Sequence, residues 1–381
     1  MKKILSVIVV VVVTLTQTAH ITAFAQETDK PAVNAQACVL YCVDDGKVYF
    51  SVNKNKKMKP ASTTKLMTSL ITLEYADSAD KVVAFTKDMT AEGSSMYLKV
   101  GEKVKLSDLA AGMMMASGND AANAAAISIA GSAEKFSELM NNRAAVIGMK
   151  NTHFVTPSGL DDENHYSTAY DMALLMSYAL ENESFAKLTS QKSVTVEFSE
   201  PQSKRTTYTN HNRLLSMYEY CTGGKTGYTM AAGRCLVSSA KKDGLTFVCV
   251  TLNDRNDWND HIALYNYGFS KLACVECDDS DYYLEIPCAG GDDESIGVTG
   301  TKGKNVVVPF DKKSNVVRTA YADNFLYAPV KDGDIVGRIE YTLDGKTLAS
   351  TNLTAVEYSN TQNKNKSIWT KIKDFFTYGK E

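Results

Sequence analysis

The chain has 381 residues, 44% of them hydrophobic and 22% charged, with a net charge of −3. That length leaves room for two or more domains, each with its own core. The composition is that of a globular protein, and without a basic excess nothing points to nucleic acid as a partner.

Residues 1–25 read as an export signal. Lys2 and Lys3 precede an apolar run from Ile4 to Leu15, and Ala23-Phe24-Ala25 offers a small-residue cleavage site before Gln26. The run is short for a bilayer span. Cleavage takes two lysines and no acid, leaving a mature charge of −5.

Across residues 26–275, the expected catalytic domain, strand and helix signals alternate from about residue 36. Ala37–Val43 and Lys47–Val52 flank the turn Asp44-Asp45-Gly46 as a hairpin. Pro60 suits the first turn of a helix, and Leu66, Met67, Leu70, Ile71 and Leu73 recur at helical spacing. Residues 106–148 read as Ala-rich helix interrupted at Ser117-Gly118-Asn119, and 168–181 as a further helix. Arg234–Lys241 and Leu245–Leu252 flank the Lys242-Asp243-Gly244 turn as a second hairpin, and a last helix fits Trp258–Leu272. Strands at both ends with helices between them predict an α+β domain, an antiparallel sheet covered by helices.

Residues 276–358 change pattern. Tyr282–Ile286, Asn305–Pro309 and Leu348–Leu353 are short alternating runs between Gly/Asp turns, which predicts a small all-β sandwich domain with no titratable cluster. Residues 359–381 end in an amphipathic pattern. Ile368, Trp369, Ile372, Phe375 and Phe376 share one helical stripe, Lys371 and Lys373 flank it, and from Asn360 onward five lysines face only Asp374 and Glu381. Such a tail suits a helix lying in the interface of an anionic membrane; the alternative is a helix docked on its own protein.

Eight cysteines in an exported chain raise the question of disulfides. Cys38 and Cys42 lie in a strand-like run about 13 Å apart, beyond disulfide reach. Cys235 and Cys249 sit in apolar strands and read as small buried hydrophobes. Cys274 and Cys277 form a C-x-x-C without the helix start or second pair that redox or zinc chemistry needs. No metal or cofactor is expected.

Three short strings carry the chemistry: Ser62-Thr-Thr-Lys65, Ser117-Gly-Asn119 and Lys225-Thr-Gly227. Together, in this order, they point to acyl transfer through a serine whose base is a lysine. Ser62 and Lys65, three apart, share a helix face at its N-terminus, where the dipole favours a developing anion. An ordinary lysine, with a pKa of about 10.4, cannot accept a proton at neutral pH. Burial and a nearby cation lower that value, and Lys225 is the candidate cation. Ser117 and Asn119 sit on a loop between helices, able to point into one cleft, and Gly227 at a sheet rim lets a substrate backbone approach.

With Pro60-Ala-Ser-Thr-Thr-Lys-Leu-Met-Thr68, Ser117-Gly-Asn-Asp-Ala-Ala122, Asn151-Thr-His-Phe-Val-Thr-Pro-Ser-Gly-Leu160, His165-Tyr-Ser-Thr-Ala-Tyr-Asp171 and Lys225-Thr-Gly-Tyr-Thr229, the sequence resembles the D-alanyl-D-alanine carboxypeptidases, the low-molecular-mass penicillin-binding proteins. The resemblance implies a serine β-lactamase/transpeptidase-like fold and a hydrolase acting on the outer face of the bacterial membrane. Its substrates would be peptidoglycan stem peptides ending in D-Ala-D-Ala, with β-lactams as acylating inhibitors. By the same resemblance Ser62 attacks the carbonyl between the two D-alanines and Lys65 accepts its proton. Ser117 passes a proton to the leaving D-alanine, and Asn119 holds the substrate amide. Lys225 and Thr226 bind the terminal carboxylate, and the N–H groups of Ser62 and Tyr228 form the oxyanion hole. Two departures stand out. Thr222-Gly223-Gly224 replaces the usual Asp-Gly before the third string, and Arg213 is shifted from the position near His211 where some members place a carboxylate-binding arginine. His153, His165 and His211 read as structural. A serine β-lactamase shares the three strings but lacks support here, since no E-x-x-L-N string supplies a deacylating glutamate; a non-catalytic wall-binding relative is the other rival.

Overall fold

The computed structural model describes residues 30–291 and 293–356. The expected export signal and amphipathic tail lie outside them. Among the described residues no helix is long and apolar enough to cross a membrane.

Strands β1 (Ala37–Cys42) and β2 (Lys47–Val52) form the first hairpin. A 3₁₀ turn, Ala61–Thr64, leads into α1 (Lys65–Ser78). The short pair β3 (Val82–Ala84) and β4 (Lys103–Lys105) brackets a loop, followed by α2 (Leu106–Met115), α3 (Asn119–Ala130), α4 (Ala133–Ile147), α5 (Ala169–Ala179) and α6 (Glu183–Thr189). A second short pair, β5 (Ser193–Glu197) and β6 (Arg205–Thr209), and the one-turn α7 (Leu214–Met217) return the chain to the sheet. There β7 (Cys221–Thr229), β8 (Gly233–Lys242) and β9 (Leu245–Leu252) precede α8 (Asp257–Lys271) and β10 (Leu272–Val275).

The main sheet runs β2-β1-β9-β8-β7 and is antiparallel throughout. Alternation assigns its two faces. Val39, Tyr41, Val237, Val248 and Val250 pack against Leu66, Leu70 and Met172 of the helical layer. Leu40, Leu236, Phe247 and Cys249 face Leu264 and Tyr265 of α8. With both faces covered, all six residues of β1 are buried, which is why this strand reads as a continuous apolar run. The described cysteines are all unpaired. Cys235 is buried in this sheet, and burial pushes its thiol up to about 12.

The C-terminal region holds β11 (Tyr283–Ala289), β12 (Ser295–Gly300), β13 (Val306–Pro309), β14 (Val317–Ala322), β15 (Leu326–Tyr327), β16 (Ile335–Leu343) and β17 (Lys346–Ala355). Six of them form one sheet in the order β14-β16-β17-β12-β11-β15, while β13 pairs with β10. The β10–β13 ribbon brings Val275 and Val306 onto the core of Ile286, Ile296, Val298, Ile339 and Leu353.

Two expectations change. The helix near Pro60 opens as a 3₁₀ turn and becomes α-helical only at Lys65. The all-β region does hold a titratable cluster: Asp279 is buried, and its carboxylate accepts from Arg318 Nε at 2.7 Å, Tyr341 Oη at 2.8 Å and Thr351 Oγ1. The partners sit on three strands 39 to 72 residues downstream, a separation that local patterning does not register.

Candidate active site

The site is built around the 3₁₀ turn. Side chains at i and i+3 eclipse in such a turn, so Ser62 and Lys65 stack, with Lys65 Nζ 2.9 Å from Ser62 Oγ. Ala61, immediately before the serine, has φ +49°, and such strain in a non-glycine residue persists only where surrounding packing enforces it. Here the packing comes from two sides. At Gly159 a Cβ would meet Ala61 O at 2.0 Å, and at Gly227 it would meet Ser62 N at 2.9 Å. Gly227 therefore lets β7 lie against the Ser62 turn, and it also lines the cleft. Ser62 and Tyr228, the residue after Gly227, both line the cleft.

Lys65 is fully buried. Besides Ser62 Oγ, its Nζ meets Asn119 Oδ1 at 2.7 Å and Ser158 O at 2.7 Å. Burial first, and the Lys225 charge second, hold its pKa well below the ordinary lysine range, opposed by Asp120. A neutral amine has two donors and one lone pair. In that form, with Asn119 Oδ1 and Ser158 O taking the donors, the arrangement is able to present the lone pair to Ser62 Oγ.

Ser117 begins the loop between α2 and α3 with φ +57°. Its Oγ accepts from Lys225 Nζ at 3.1 Å, and the same Nζ donates to Thr226 O at 2.9 Å. Lys225 is buried behind Ser117, and burial lowers it to about 7. Its ammonium reaches the cleft through Ser117, which lines the wall. Thr226 lines the wall too. Asn119 has both amide ends engaged, Oδ1 with Lys65 and Nδ2 with Glu92 O at 2.6 Å.

The cleft, of about 520 Å³, brings together Ser62, Ser117, Thr226, Gly227 and Tyr228, and adds Ser94, His211, Arg234 and Trp258. Arg234 is the residue that sequence reasoning missed. It is held by the buried Asp257 through Nη2–Oδ1 at 2.6 Å and Nε–Oδ2 at 3.1 Å, and its side chain remains 43% exposed. Arg234 pairs with Tyr228 across β7 and β8, a hairpin the sequence reading did not predict; recognising the turn after Lys225-Thr-Gly-Tyr-Thr229 and counting register across it is the signal that could have found it. Arg213 instead precedes α7. Among the described residues no group of three or more His, Cys, Asp or Glu is arranged to hold a metal ion.

A helix-covered antiparallel sheet with this cleft at its β7 edge is the architecture of the penicillin-binding peptidases. The crystal structure of penicillin-binding protein 5 from Haemophilus influenzae matches with a TM-score of 0.65 at 29% identity, covering 87% of this chain and 99% of that one. The D-alanyl-D-alanine carboxypeptidase DacD from Francisella tularensis matches with a TM-score of 0.63 at 28% identity, covering 87% and 95%. In sequence, D-alanyl-D-alanine carboxypeptidase DacF of Bacillus subtilis is 32% identical over 372 residues, 94% of each chain. DacC of Escherichia coli is 34% identical over 362 residues, 88% of this chain and 87% of its own. Residues 24–256 match the family described as D-alanyl-D-alanine carboxypeptidase, and residues 278–359 the C-terminal domain of penicillin-binding protein 5. The chain belongs to the D-alanyl-D-alanine carboxypeptidase family.

Proposed function

We propose that this protein is a serine-type, penicillin-binding D-Ala-D-Ala carboxypeptidase that trims the terminal D-alanine from peptidoglycan stem peptides through an acyl-Ser62 intermediate. The observation that carries the mechanism is the 2.9 Å approach of the buried Lys65 Nζ to Ser62 Oγ. Neutral Lys65 takes the hydroxyl proton as Ser62 attacks the carbonyl between the two D-alanines. The resulting oxyanion is met by the N–H groups of Ser62 and Tyr228, worth roughly 3 kcal/mol per donor. Ser117, polarised by Lys225, hands its proton to the leaving amine and takes up the one that Lys65 removed from Ser62, so that Lys65 is neutral again for the next step. Water then attacks the acyl carbonyl and frees Ser62. Thr226 and Arg234 receive the terminal carboxylate, Arg234 as a fork already oriented by Asp257. The remaining N–H of Asn119 Nδ2 is the group left for the substrate amide.

The reading extends to the cell. Residues 1–25 act as a cleaved export signal, 26–275 as the peptidase domain and 276–358 as a β domain. Residues 359–381 rest on the membrane surface through Ile368, Trp369, Ile372, Phe375 and Phe376, keeping the enzyme at the outer face beside the wall.

The test is D-alanine release from a synthetic pentapeptide, run beside labelling with a fluorescent penicillin. Release together with a long-lived adduct, both lost in Ser62→Ala, is the expected result. Rapid turnover of the penicillin, or release that survives Ser62→Ala, would refute the mechanism. Truncation after Tyr358 is expected to abolish liposome binding and leave the rate on soluble peptide unchanged.

A further inference from the structure

Asp120 follows Asn119 in α3, and its side chain is almost fully buried. Four donors converge on the carboxylate. They are Ser95 Oγ at 2.7 Å and the backbone N–H groups of Met96 at 2.8 Å, Ala121 at 2.9 Å and Leu98 at 3.0 Å. Three of the four belong to residues 95–98, in the loop between β3 and β4. The same loop meets Asn119 twice more. Asn119 N donates to Ser94 O at 2.8 Å, and Asn119 Nδ2 donates to Glu92 O at 2.6 Å. Residues 92–98 thus form a strap along the cleft, and Ser94 stands in the cleft wall with Ser62 and Ser117.

The strap matters through the Asn119 amide. Its donor and acceptor ends have nearly the same shape, so only hydrogen-bond partners decide which way it faces. A carbonyl only accepts. Glu92 O therefore holds Nδ2 on the strap side and turns Oδ1 toward Lys65 Nζ, 2.7 Å away. A reversed amide would set donors against the donors of Lys65 and upset the hydrogen-bond pattern that leaves its lone pair for Ser62.

We infer that Asp120 is a positioning residue for acyl transfer: it clamps the 92–98 strap so that Asn119 presents Oδ1 to Lys65 and Ser94 stays in the cleft wall. This rests on the reading of Ser62 and Lys65 given above. The carboxylate touches neither substrate nor nucleophile; its positioning effect passes through the strap, beside the direct pull of its charge on Lys65 noted above.

The experiment compares the wild-type enzyme with Asp120→Asn, Ser95→Ala and the double variant. It reads kcat and KM for D-alanine release, the rate of acylation by a fluorescent penicillin, and the melting temperature. Asp120→Asn is expected to lower kcat and acylation on the order of 10²-fold, the scale of a small misplacement at a reacting centre. KM should change far less. Ser95→Ala removes one strap bond and is expected to cost several-fold. Because both act through one strap, the double variant should be no slower than Asp120→Asn alone. Wild-type kcat in folded Asp120→Asn, or losses that multiply in the double variant, would overturn the inference. If Asp120→Asn does not fold, Ser95→Ala decides alone, and a wild-type acylation rate in that variant overturns it. A wild-type enzyme inert in both assays would instead sink the acyl-transfer reading, and this inference with it.

Discussion

Replacing Gly227 with alanine tests whether β7 and the nucleophile turn are one rigid unit. The added Cβ would lie 2.9 Å from Ser62 N, 3.0 Å from Thr63 N and 3.1 Å from Pro60 O. All three are backbone atoms of a single turn, so no side chain can swing aside. Ordinary contact begins near 3.4 Å, so turn and strand must part by roughly 0.3–0.5 Å, an overpacking that costs about 1–3 kcal/mol of stability. The same movement separates the Ser62 and Tyr228 amides from their common target. A displacement of about 1 Å costs on the order of 10²-fold in rate, so half of it should cost on the order of 10-fold. The φ of Gly227 is outside the left-handed region, so backbone strain does not confuse the outcome. Gly227→Ala should be acylated by a fluorescent penicillin about 10-fold more slowly and melt at a lower temperature. A folded variant acylated at the wild-type rate would show that strand and turn do not constrain each other.

Three further outcomes are expected. Arg234→Gln should raise KM for the pentapeptide by about 10-fold or more, the worth of a charged hydrogen bond, with a smaller effect on kcat; an unchanged KM would remove Arg234 from carboxylate binding. Asp279→Ala strips the acceptor from Arg318, Tyr341 and Thr351. Because Arg318 can turn to solvent, the cost should be about 2 kcal/mol, seen as a lower melting temperature with an unaltered rate on soluble pentapeptide; a lost rate would place Asp279 in the catalytic machinery. Burial lowers His165 to about 4 and His261 to about 3. Between the ordinary value of 6.5 and those values the unfolded chain binds more protons than the native one. The stabilisation is therefore complete above pH 6.5 and is lost as pH falls, amounting by pH 4 to about 3 kcal/mol for each ring. Urea midpoints that stay flat between pH 6.5 and 4 would contradict this.

What was legible in the sequence was local. The spacing of Leu66, Leu70 and Leu73 marks α1, the Lys242-Asp-Gly turn joins β8 to β9, and Ser62 meets Lys65 because the two lie three apart in one turn. What was not legible depends on pairing across distance. Arg234 enters the cleft through its register with Tyr228. Ser158 offers Lys65 a backbone carbonyl from 93 residues away, and a carbonyl carries no residue signature. The 3.1 Å bond from Lys225 Nζ to Ser117 Oγ joins residues 108 apart, which neither string encodes.

His165, buried behind the Ser62 turn, has a structural part to play in its neutral form. Its Nδ1 accepts from the backbone N–H groups of Val155 at 3.1 Å and Thr156 at 3.2 Å. An imidazole nitrogen that accepts carries no proton, so the ring hydrogen sits on Nε2 and donates to Thr64 Oγ1, 2.9 Å away. The neutral ring thus ties residues 155–156 to the nucleophile turn. Two residues further along, Ser158 O takes one of the donors of Lys65. Protonating His165 would place a donor against two backbone donors and loosen the loop that carries this carbonyl. All three of these bonds need the neutral ring, which is the structural role that its sequence setting suggested. On the proposed mechanism, Lys65, tied to Asn119 Oδ1 and Ser158 O, keeps its lone pair for Ser62 Oγ, and neutral His165 helps to hold the loop that makes this possible.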